Sequence, residues 1–263
     1  MNFSWIRVYA VISRHLYVAL RDVRAFSQDF FWPLMDLSLW GYMAQYSCKT
    51  YGMPSSYVYS MLACVSLWQI FLRSSLEVSV SMLDEIWEKN LVNFFAGPLY
   101  LIEWVAACSL LALIRTITTM IIAIIIIKLL FSWMLFSVGM VLIPCALNLF
   151  LSGLTIGFLI TALLSLFGKK ADAFAWMMGW MCAPFSSIYY PAAALPAWMN
   201  SVANWMPMMY TFDALKQAIA DGGINWNFLG IAFGLNCIYL TGAILLFLIC
   251  FEQSRKRGLS RLE

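Results

Sequence analysis

The sequence has few charged residues and a single histidine. Charged side chains make up 11% of its 263 residues, against roughly 25% in a soluble domain. Hydrophobic residues make up 63%, more than a soluble fold of this length can hide. The surrounding solvent is therefore expected to be a lipid bilayer. The one histidine, His15, leaves no basis for a His-based metal site or catalytic triad.

Motifs for catalysis and nucleotide binding are also missing. The only Gly-Lys pair, Gly168-Lys169, lacks the earlier glycine that a Walker A loop requires. Neither H-E-x-x-H, G-x-S-x-G nor a pair of catalytic carboxylates occurs. The seven cysteines include no C-x-x-C pair and fit ordinary packing. A cleavable signal is not expected, because the first apolar run begins only near Phe30. We therefore expect no enzymatic activity and no cofactor or metal in this chain.

Six apolar segments approach or exceed the roughly 20 residues that a membrane helix needs. They are residues 30–47, 57–76, 99–127, 134–167, 174–190 and 228–251. The fourth is too long for one straight crossing, and Pro144 and Asn148 within it predict a kinked or tilted helix. Two helices there would give seven crossings, whereas the charge distribution favours six.

Basic residues are unevenly distributed between the loops of a six-helix layout. One side holds eleven: Arg7, Arg14, Arg21, Arg24, Lys89, Lys169, Lys170, Arg255, Lys256, Arg257 and Arg261. The other holds three: Lys49, Lys128 and Lys216. The positive-inside rule then places both termini in the cytoplasm of a plasma (inner) membrane protein. No basic cluster indicates nucleic-acid binding.

Residues 1–28 form an N-terminal arm with helical periodicity. Its apolar residues recur at steps of three and four: Trp5, Tyr9, Ile12, Leu16, Leu20 and Val23. Arg7, Arg14 and Arg21 lie on the opposite side, with Arg24 close by. The pattern predicts an amphipathic helix on the inner membrane surface, with its arginines toward anionic headgroups. A coiled coil or a partner-docking helix is the alternative.

Residues 81–98, here called the polar segment, interrupt the apolar sequence. Acidic residues open it and apolar residues follow, and Gly97-Pro98 ends it. Such a short helix between two spans suits a groove on a soluble partner. A helical extension followed by a loop is the alternative. Just before the segment, Arg73 and Glu77 lie one helical turn apart and are expected to pair.

Residues 189–217, here called the proline segment, combine helix breakers with apolar side chains. Pro191, Pro196 and Pro207 exclude one straight spanning helix. Trp198 and Trp205 are nevertheless too apolar for a hydrated loop. Two short re-entrant helices on the outer side satisfy both constraints, and an ordinary surface loop is the alternative.

Both segments resemble the permease subunits of ABC-2 type exporters. Residues 85–99 (EIWEKNLVNFFAGPL) resemble the signature acidic-x-x-x-Gly-Thr-Leu-x-x-Leu-Leu-x-x-Pro-Leu, with Lys89-Asn90 in place of Gly-Thr. The proline segment resembles a second family pattern, with two departures. That pattern is Tyr/Phe-Pro, Leu-Pro-x-Trp, Asn-Pro, a Tyr and Ala-Leu-Arg. Met206 precedes the third proline and Lys216 replaces the arginine. The matching residues are Tyr190-Pro191, Leu195-Pro196-Ala197-Trp198, Pro207, Tyr210 and Ala214-Leu215-Lys216.

This resemblance covers nearly the whole chain and implies a fold, partners and site residues. It implies six transmembrane helices (29–254), the interface arm, a cytoplasmic coupling helix, re-entrant helices between the fifth and sixth spans, and a cytoplasmic tail (255–263). The implied partners are a second copy or a paralogue and two ATP-binding cassette subunits, which carry ATP and Mg. The assembly would export an amphipathic or lipid-linked substrate, such as a glycan, lipid, drug or peptide. The coupling residues would be Asp84, Glu85, Trp87, Glu88, Leu91, Phe94 and Phe95. The path or gate would include Asp36, Arg115, Tyr190, Trp198, Trp205 and Tyr210.

Charges inside apolar segments offer another reading. Asp36 and Arg115 are costly in lipid unless paired or hydrated. They either pair with each other, fixing helix register, or line a path. An ion-coupled secondary transporter using Asp36, Arg73, Glu77 and Arg115 is the alternative function, although the halves show no clear repeat. The missing catalytic motifs disfavour a membrane enzyme or scaffold.

Two G-x-x-x-G spacings occur in the apolar segments. Gly153 and Gly157 form one, and Gly230 and Gly234 form the other. Such spacing permits close approach between helices.

Overall fold

A computed structural model describes residues 3–21 and 23–262 as an all-helical chain, with no strand among these residues. The α-helices are α1 (Trp5–Arg21), α2 (Val23–Tyr51), α3 (Ser56–Trp87), α4 (Leu91–Ala96), α5 (Leu101–Phe131), α6 (Leu142–Phe167), α7 (Asp172–Met181), α8 (Ala197–Ala203), α9 (Pro207–Asp221) and α10 (Trp226–Lys256). The all-α prediction is confirmed. The predicted arm residues Leu20, Val23 and Arg24 and the tail residue Arg261 lie outside the described side chains.

Four helical stretches of the described chain are long and apolar enough to cross a membrane. They are Ser56–Trp87, Leu101–Phe131, Leu142–Phe185 and Trp226–Lys256. These stretches indicate a membrane-embedded protein. The predicted first crossing, residues 30–47, lies within α2, which is not among the four. Six crossings therefore remain a prediction.

Helix α3 is the central element of the bundle. Its 32 residues span about 48 Å at the rise of an α-helix, more than the roughly 30 Å hydrocarbon core of a bilayer. Helices α2, α5, α6, α7 and α9 pack around it. One buried cluster includes Met82, Trp104, Phe158 and Phe247, and a second surrounds Trp68 with other buried apolar side chains. We call them the first and second clusters.

The fourth apolar segment is not one kinked helix. A short 3₁₀ turn, Leu135–Val138, is followed by Gly139 with a φ of +88°, and α6 begins only at Leu142. Pro144 therefore occupies the first turn, where backbone N–H groups have no partner within the helix. A proline at this position does not kink the helix, so the prediction for residues 134–167 is wrong.

The fifth apolar segment is not one continuous helix either. The chain turns at Gly168, which has a φ of +59°, and α7 contains ten residues, about 15 Å. Ala175 of α7 belongs to the first cluster, whereas Cys182 and Ile188 belong to the second. A short helix and irregular turns thus lead the chain back along α3.

A close helix contact joins α6 to α3. A methyl group added at Gly153 would overlap the Ser74 hydroxyl and the Phe71 carbonyl, and one at Gly157 would lie 2.9 Å from the Ser75 carbonyl. The expected close approach is confirmed for this pair. Gly230 and Gly234 of α10 instead face open space within the chain.

Helix α1 and the last described turn of the chain lie at the same end of the bundle. Helix α1 is bound there by carboxylates of α3 and α5, and the C-terminal turn Leu259–Leu262 contacts α4 and the turn Gly168–Ala171. We call this the termini end. Trp133, residues 137–141, Gly222 and Ile224 lie at the opposite end, where they line a cavity of about 460 Å³.

Candidate functional site

The polar segment forms the end of α3 and the short helix α4. Lys89 adopts a φ of +52° where the chain turns between them. Leu91 is buried in the first cluster, and the Phe95 ring centroid lies 4.5 Å from that of Phe251. The apolar face of α4 thus packs on its own bundle. The short helix is present as predicted, but half of its surface is occupied.

Glu85 is an internal ligand and is only 1% exposed. Arg14 of α1 binds it through two contacts, of 2.6 Å and 3.1 Å. The Asn90 side-chain amide donates a hydrogen bond of 2.9 Å to the same carboxylate. Both oxygens of Glu85 thus have partners within the chain, and its contact with an external partner stays a prediction.

The predicted coupling residues thus divide into an inner and an outer set. Glu85 and Leu91 are buried, and Asp84, Phe94 and Phe95 are partly buried. Trp87, at 39%, and Glu88 are exposed, as are Lys89, Val92 and Asn93. We call these five exposed residues the exposed ridge. Lys89, Val92 and Asn93 were not assigned from the sequence. The turn at Lys89 ends the helical periodicity, so the sequence does not show which side chains beyond it are exposed.

Two arginines of the arm, Arg7 and Arg14, bind carboxylates of the bundle. Arg7 forms a two-pronged contact with Glu103 of α5, at 2.8 Å and 2.6 Å, and this hydrogen bonding raises the pKa of Arg7. Glu103 also accepts hydrogen bonds from the backbone N–H groups of Ser4 and Tyr100. The arginines were expected to face lipid headgroups, and for Arg7 and Arg14 this is wrong.

The opposite face of α1 is exposed and aromatic. Trp5, Tyr9 and Tyr17 all extend away from the bundle, whereas Val8 and Val11 are buried against α5. The Arg14 guanidinium lies 5.1 Å from the Phe94 ring centroid, a cation–π distance. Helix α1 therefore joins the ends of α3, α4 and α5 while it presents aromatic rings outward.

His15 lies in the same contact region. Its Nε2 atom is 4.0 Å from Glu85 Oε1. Burial lowers the pKa of His15 below its ordinary value, although the charge of Glu85 acts in the opposite direction. The docked arm therefore favours the neutral imidazole.

Four charged side chains form a buried quartet between α2, α3 and α5. Arg73 contacts Asp29 at 3.0 Å and Glu77 at 3.1 Å. Arg115 contacts Asp29 at 3.0 Å and Glu77 at 3.4 Å. The expected pairing of Arg73 with Glu77 is confirmed. The hypothesis of an Asp36–Arg115 pair is wrong, because Asp29 occupies the position expected for Asp36.

Asp36 lies outside this quartet. Its Oδ2 atom accepts a hydrogen bond of 2.8 Å from the Gln69 amide. One helical turn further along α2, Trp40 stacks on Tyr189 with a centroid distance of 4.2 Å. Neither Gln69 nor Asp29 was assigned from the sequence. These residues could be found only by knowing which polar side chains face one another across two helices. A single sequence does not show how the helices are rotated relative to each other.

The proline segment contains two short helices, α8 and α9. Trp198 and Trp205 are 66% and 70% exposed. The Tyr190 hydroxyl donates to the Pro184 carbonyl at 2.8 Å, and the Tyr210 hydroxyl donates to the Asn204 carbonyl at 2.9 Å. The tyrosines therefore brace turns, whereas the tryptophans have no comparable role inside the bundle.

Helix α9 is fixed to the turn before the proline segment. Ser187, with a φ of +61°, donates a hydrogen bond of 2.6 Å to Asp213. Lys216 donates to the Ser187 carbonyl. Met209 and Phe212 on the same helix are buried. α9 is thus part of the bundle, and α8 lies outside it.

Fold and site together define a membrane-embedded helical protein with a charged arm contact and an exposed ridge at one end. Within the described residues, no group of three His, Cys, Asp or Glu side chains is arranged to hold a metal ion. No model of a known protein family matches the chain, and no curated protein matches it at a significant level.

Proposed function

We propose that this chain is the membrane-spanning permease subunit of an ABC-2 type exporter. The observation that carries the proposal is the exposed ridge, which joins Trp87 and Val92 to charged Glu88 and Lys89 at the termini end. A mixed apolar and charged ridge that runs from the end of α3 across the turn to α4 suits a groove on a soluble protein. The sequence resemblance of residues 85–99 supports the same assignment.

The partner in this proposal is an ATP-binding cassette subunit, which binds ATP and Mg and hydrolyses the nucleotide. This chain would be a transport subunit without enzymatic activity. Two copies, or one copy and a paralogue, would enclose the path for an amphipathic or lipid-linked substrate such as a glycan, lipid, drug or peptide. The termini end would face the cytoplasm of an inner membrane. Eleven of the fourteen basic residues outside the quartet belong to the segments that the sequence assigns to that side.

The arm contact supports transmission of force from the ridge. Because α1 binds Glu85 and Glu103 together, a push on α4 is passed to both α3 and α5. Trp198 and Trp205 would then act at the opposite end, where Ala203 is the one residue of α8 that is buried. Tyr190 and Tyr210 would hold the turns around this gate.

The alternative function, an ion-coupled secondary transporter, has lost most of its ligands. Arg73, Glu77 and Arg115 bind one another and Asp29. Of the four residues assigned to that alternative, only Asp36 lies outside the quartet.

A photo-crosslinking experiment tests the exporter proposal. A benzophenone amino acid replaces Val92 on the ridge or, as the control, Met140, which is 78% exposed at the opposite end. The chain is expressed in its own host cells, and adducts with an ATP-binding cassette subunit are identified by mass spectrometry. We expect an adduct from position 92 and none from position 140. Equal crosslinking at both positions, or none at position 92, contradicts the proposal.

A further inference from the structure

Among the four charged residues that the sequence analysis singled out in the apolar segments, Asp36 is the one without a partner of opposite charge in the part of the chain that the structure describes. Two arginines and two carboxylates neutralise one another in the quartet. Asp36 has the neutral Gln69 amide as its hydrogen-bond partner, and no Lys or Arg among the described residues forms an ion pair with it. A carboxylate in an apolar helix is stabilised by a cation or by water. A cation bound beside Asp36 would therefore stabilise its carboxylate.

The groups around Asp36 are aromatic and neutral. Trp40 follows it by one turn and lies on the same side of α2. The stacked rings of Trp40 and Tyr189 are inclined by 24° and are partly exposed. Tyr189 also lies within electrostatic reach of the Asp36 carboxylate. An anionic oxygen beside aromatic faces is the arrangement that attracts an organic cation, since both the charge and the ring quadrupole favour it.

Gln69 gives this group a defined geometry. It is a buried residue of the central helix, and its amide is hydrogen-bonded to Asp36 Oδ2. The carboxylate is thereby oriented through Oδ2, and Asp36 is only partly buried, so a ligand can approach it. The arrangement disfavours a phosphate or pyrophosphate group, because these would meet the carboxylate with like charge.

We propose that Asp36, Gln69 and the Trp40–Tyr189 stack form a recognition subsite for the positively charged group of a lipophilic organic cation. This inference rests on the proposed export function and deepens it. It selects cationic amphipathic molecules over anionic lipid-linked glycans. Asp36 supplies the charge, Gln69 positions the carboxylate, and the rings contact the apolar shell of the cation.

Two probes of the same shape and opposite charge test the subsite. Tetraphenylphosphonium and tetraphenylborate are each dialysed to equilibrium against the purified full chain in a neutral maltoside detergent. We expect saturable binding of the phosphonium and weakening of that binding by about tenfold or more in Asp36→Asn. Asp36→Glu should retain most of the affinity, and Trp40→Leu should lower it several-fold. Glu252→Gln, which removes an exposed carboxylate at the termini end, is the matched control and should bind as the parent chain does.

The outcomes separate this inference from the exporter proposal, because the binding assay contains no ATPase. Phosphonium binding that is unchanged in both Asp36→Asn and Trp40→Leu overturns the subsite, as does equal binding of the borate. Thermal unfolding midpoints of each variant verify folding, and Trp40→Leu tests the site independently if Asp36→Asn does not fold. Asp36-dependent binding without crosslinking at position 92 retains the cation site and removes the exporter assignment.

Discussion

Two glycines with the same sequence spacing have different environments. Gly153 lies against the backbone of α3, whereas Gly230 faces open space. Without a hydrophobic driving force between helices in lipid, close packing of this kind is a main source of helix association. Gly153 is therefore a packing residue, and Gly230 makes no such contact within the chain.

This contrast gives a prediction with its own control. Gly153→Ala should destabilise the protein by about 1–3 kcal/mol, because overpacking forces the helices apart. Gly230→Ala should be neutral or stabilise by up to about 1 kcal/mol, because alanine is the better helix former. Thermal unfolding in detergent measures both. A midpoint for Gly153→Ala equal to that of Gly230→Ala contradicts the packing of α6 on α3.

Pairing between residues was only partly predictable from sequence. Arg73 and Glu77 are neighbours on one helix, so periodicity alone identifies their contact. The partner of Arg115 depends on the rotation of α2 relative to α5, which no single sequence specifies. Asp36 and Asp29 lie seven residues apart on α2, and composition gives no reason to choose between them.

At the scale of the element, α1 depends on polar contacts as well as apolar ones. Arg7 and Arg14 bind carboxylates of two other helices, and burial lowers the pKa of His15 in the same contact region. Periodicity predicted the helix correctly. It did not show which face of α1 contacts the bundle. The sequence alone does not tell whether the arginines bind carboxylates of the bundle or anionic lipid headgroups.

The arm should loosen at low pH. The pKa of His15 is lowered in the docked state, so the docked arm binds fewer protons than the released one. Docking is therefore complete above about pH 6.5, the ordinary value for histidine, and weakens as the pH falls below it. Glu85, Glu77, Glu88 and Arg14 are the charged groups around the imidazole. Distances between spin labels at the exposed positions Val18 and Val92 should broaden between pH 7.5 and pH 5.

His15→Gln is the control for this experiment. Glutamine keeps a polar side chain of similar length and does not titrate, so the distance distribution should lose its pH dependence. Broadening that persists in His15→Gln would mean that protonation of the glutamates releases the arm.

At the scale of the whole molecule, the polar segment, the turn at Gly168, the arm and the C-terminal turn meet at one end. The charge pattern of the loops anticipated this grouping. Residues 134–141 and 174–190 could not be placed in the same way. Hydropathy does not show where an apolar stretch breaks, and the backbone conformations of Gly139 and Ser187 interrupt these two stretches.

The grouping predicts which residues share a side of the membrane. In a variant with Cys48 and Cys237 replaced by serine, single cysteines at Met140 and Ala194 should react with an impermeant maleimide added outside intact cells. Cysteines at Lys169 and Arg257 should react only after the membrane is opened. External labelling of position 257 would contradict the proposed orientation.

The quartet of Asp29, Arg73, Glu77 and Arg115 also determines how the bundle responds to membrane voltage. An isolated charge crossing the field gains or loses about 2.3 kcal/mol per 100 mV. The quartet combines two positive with two negative groups, so its joint displacement with α2, α3 and α5 contributes no net gating charge. Separation of Arg115 from Asp29 would instead expose single charges to the field. In an energised membrane the quartet therefore adds no electrical work to the motion of these three helices as one rigid block.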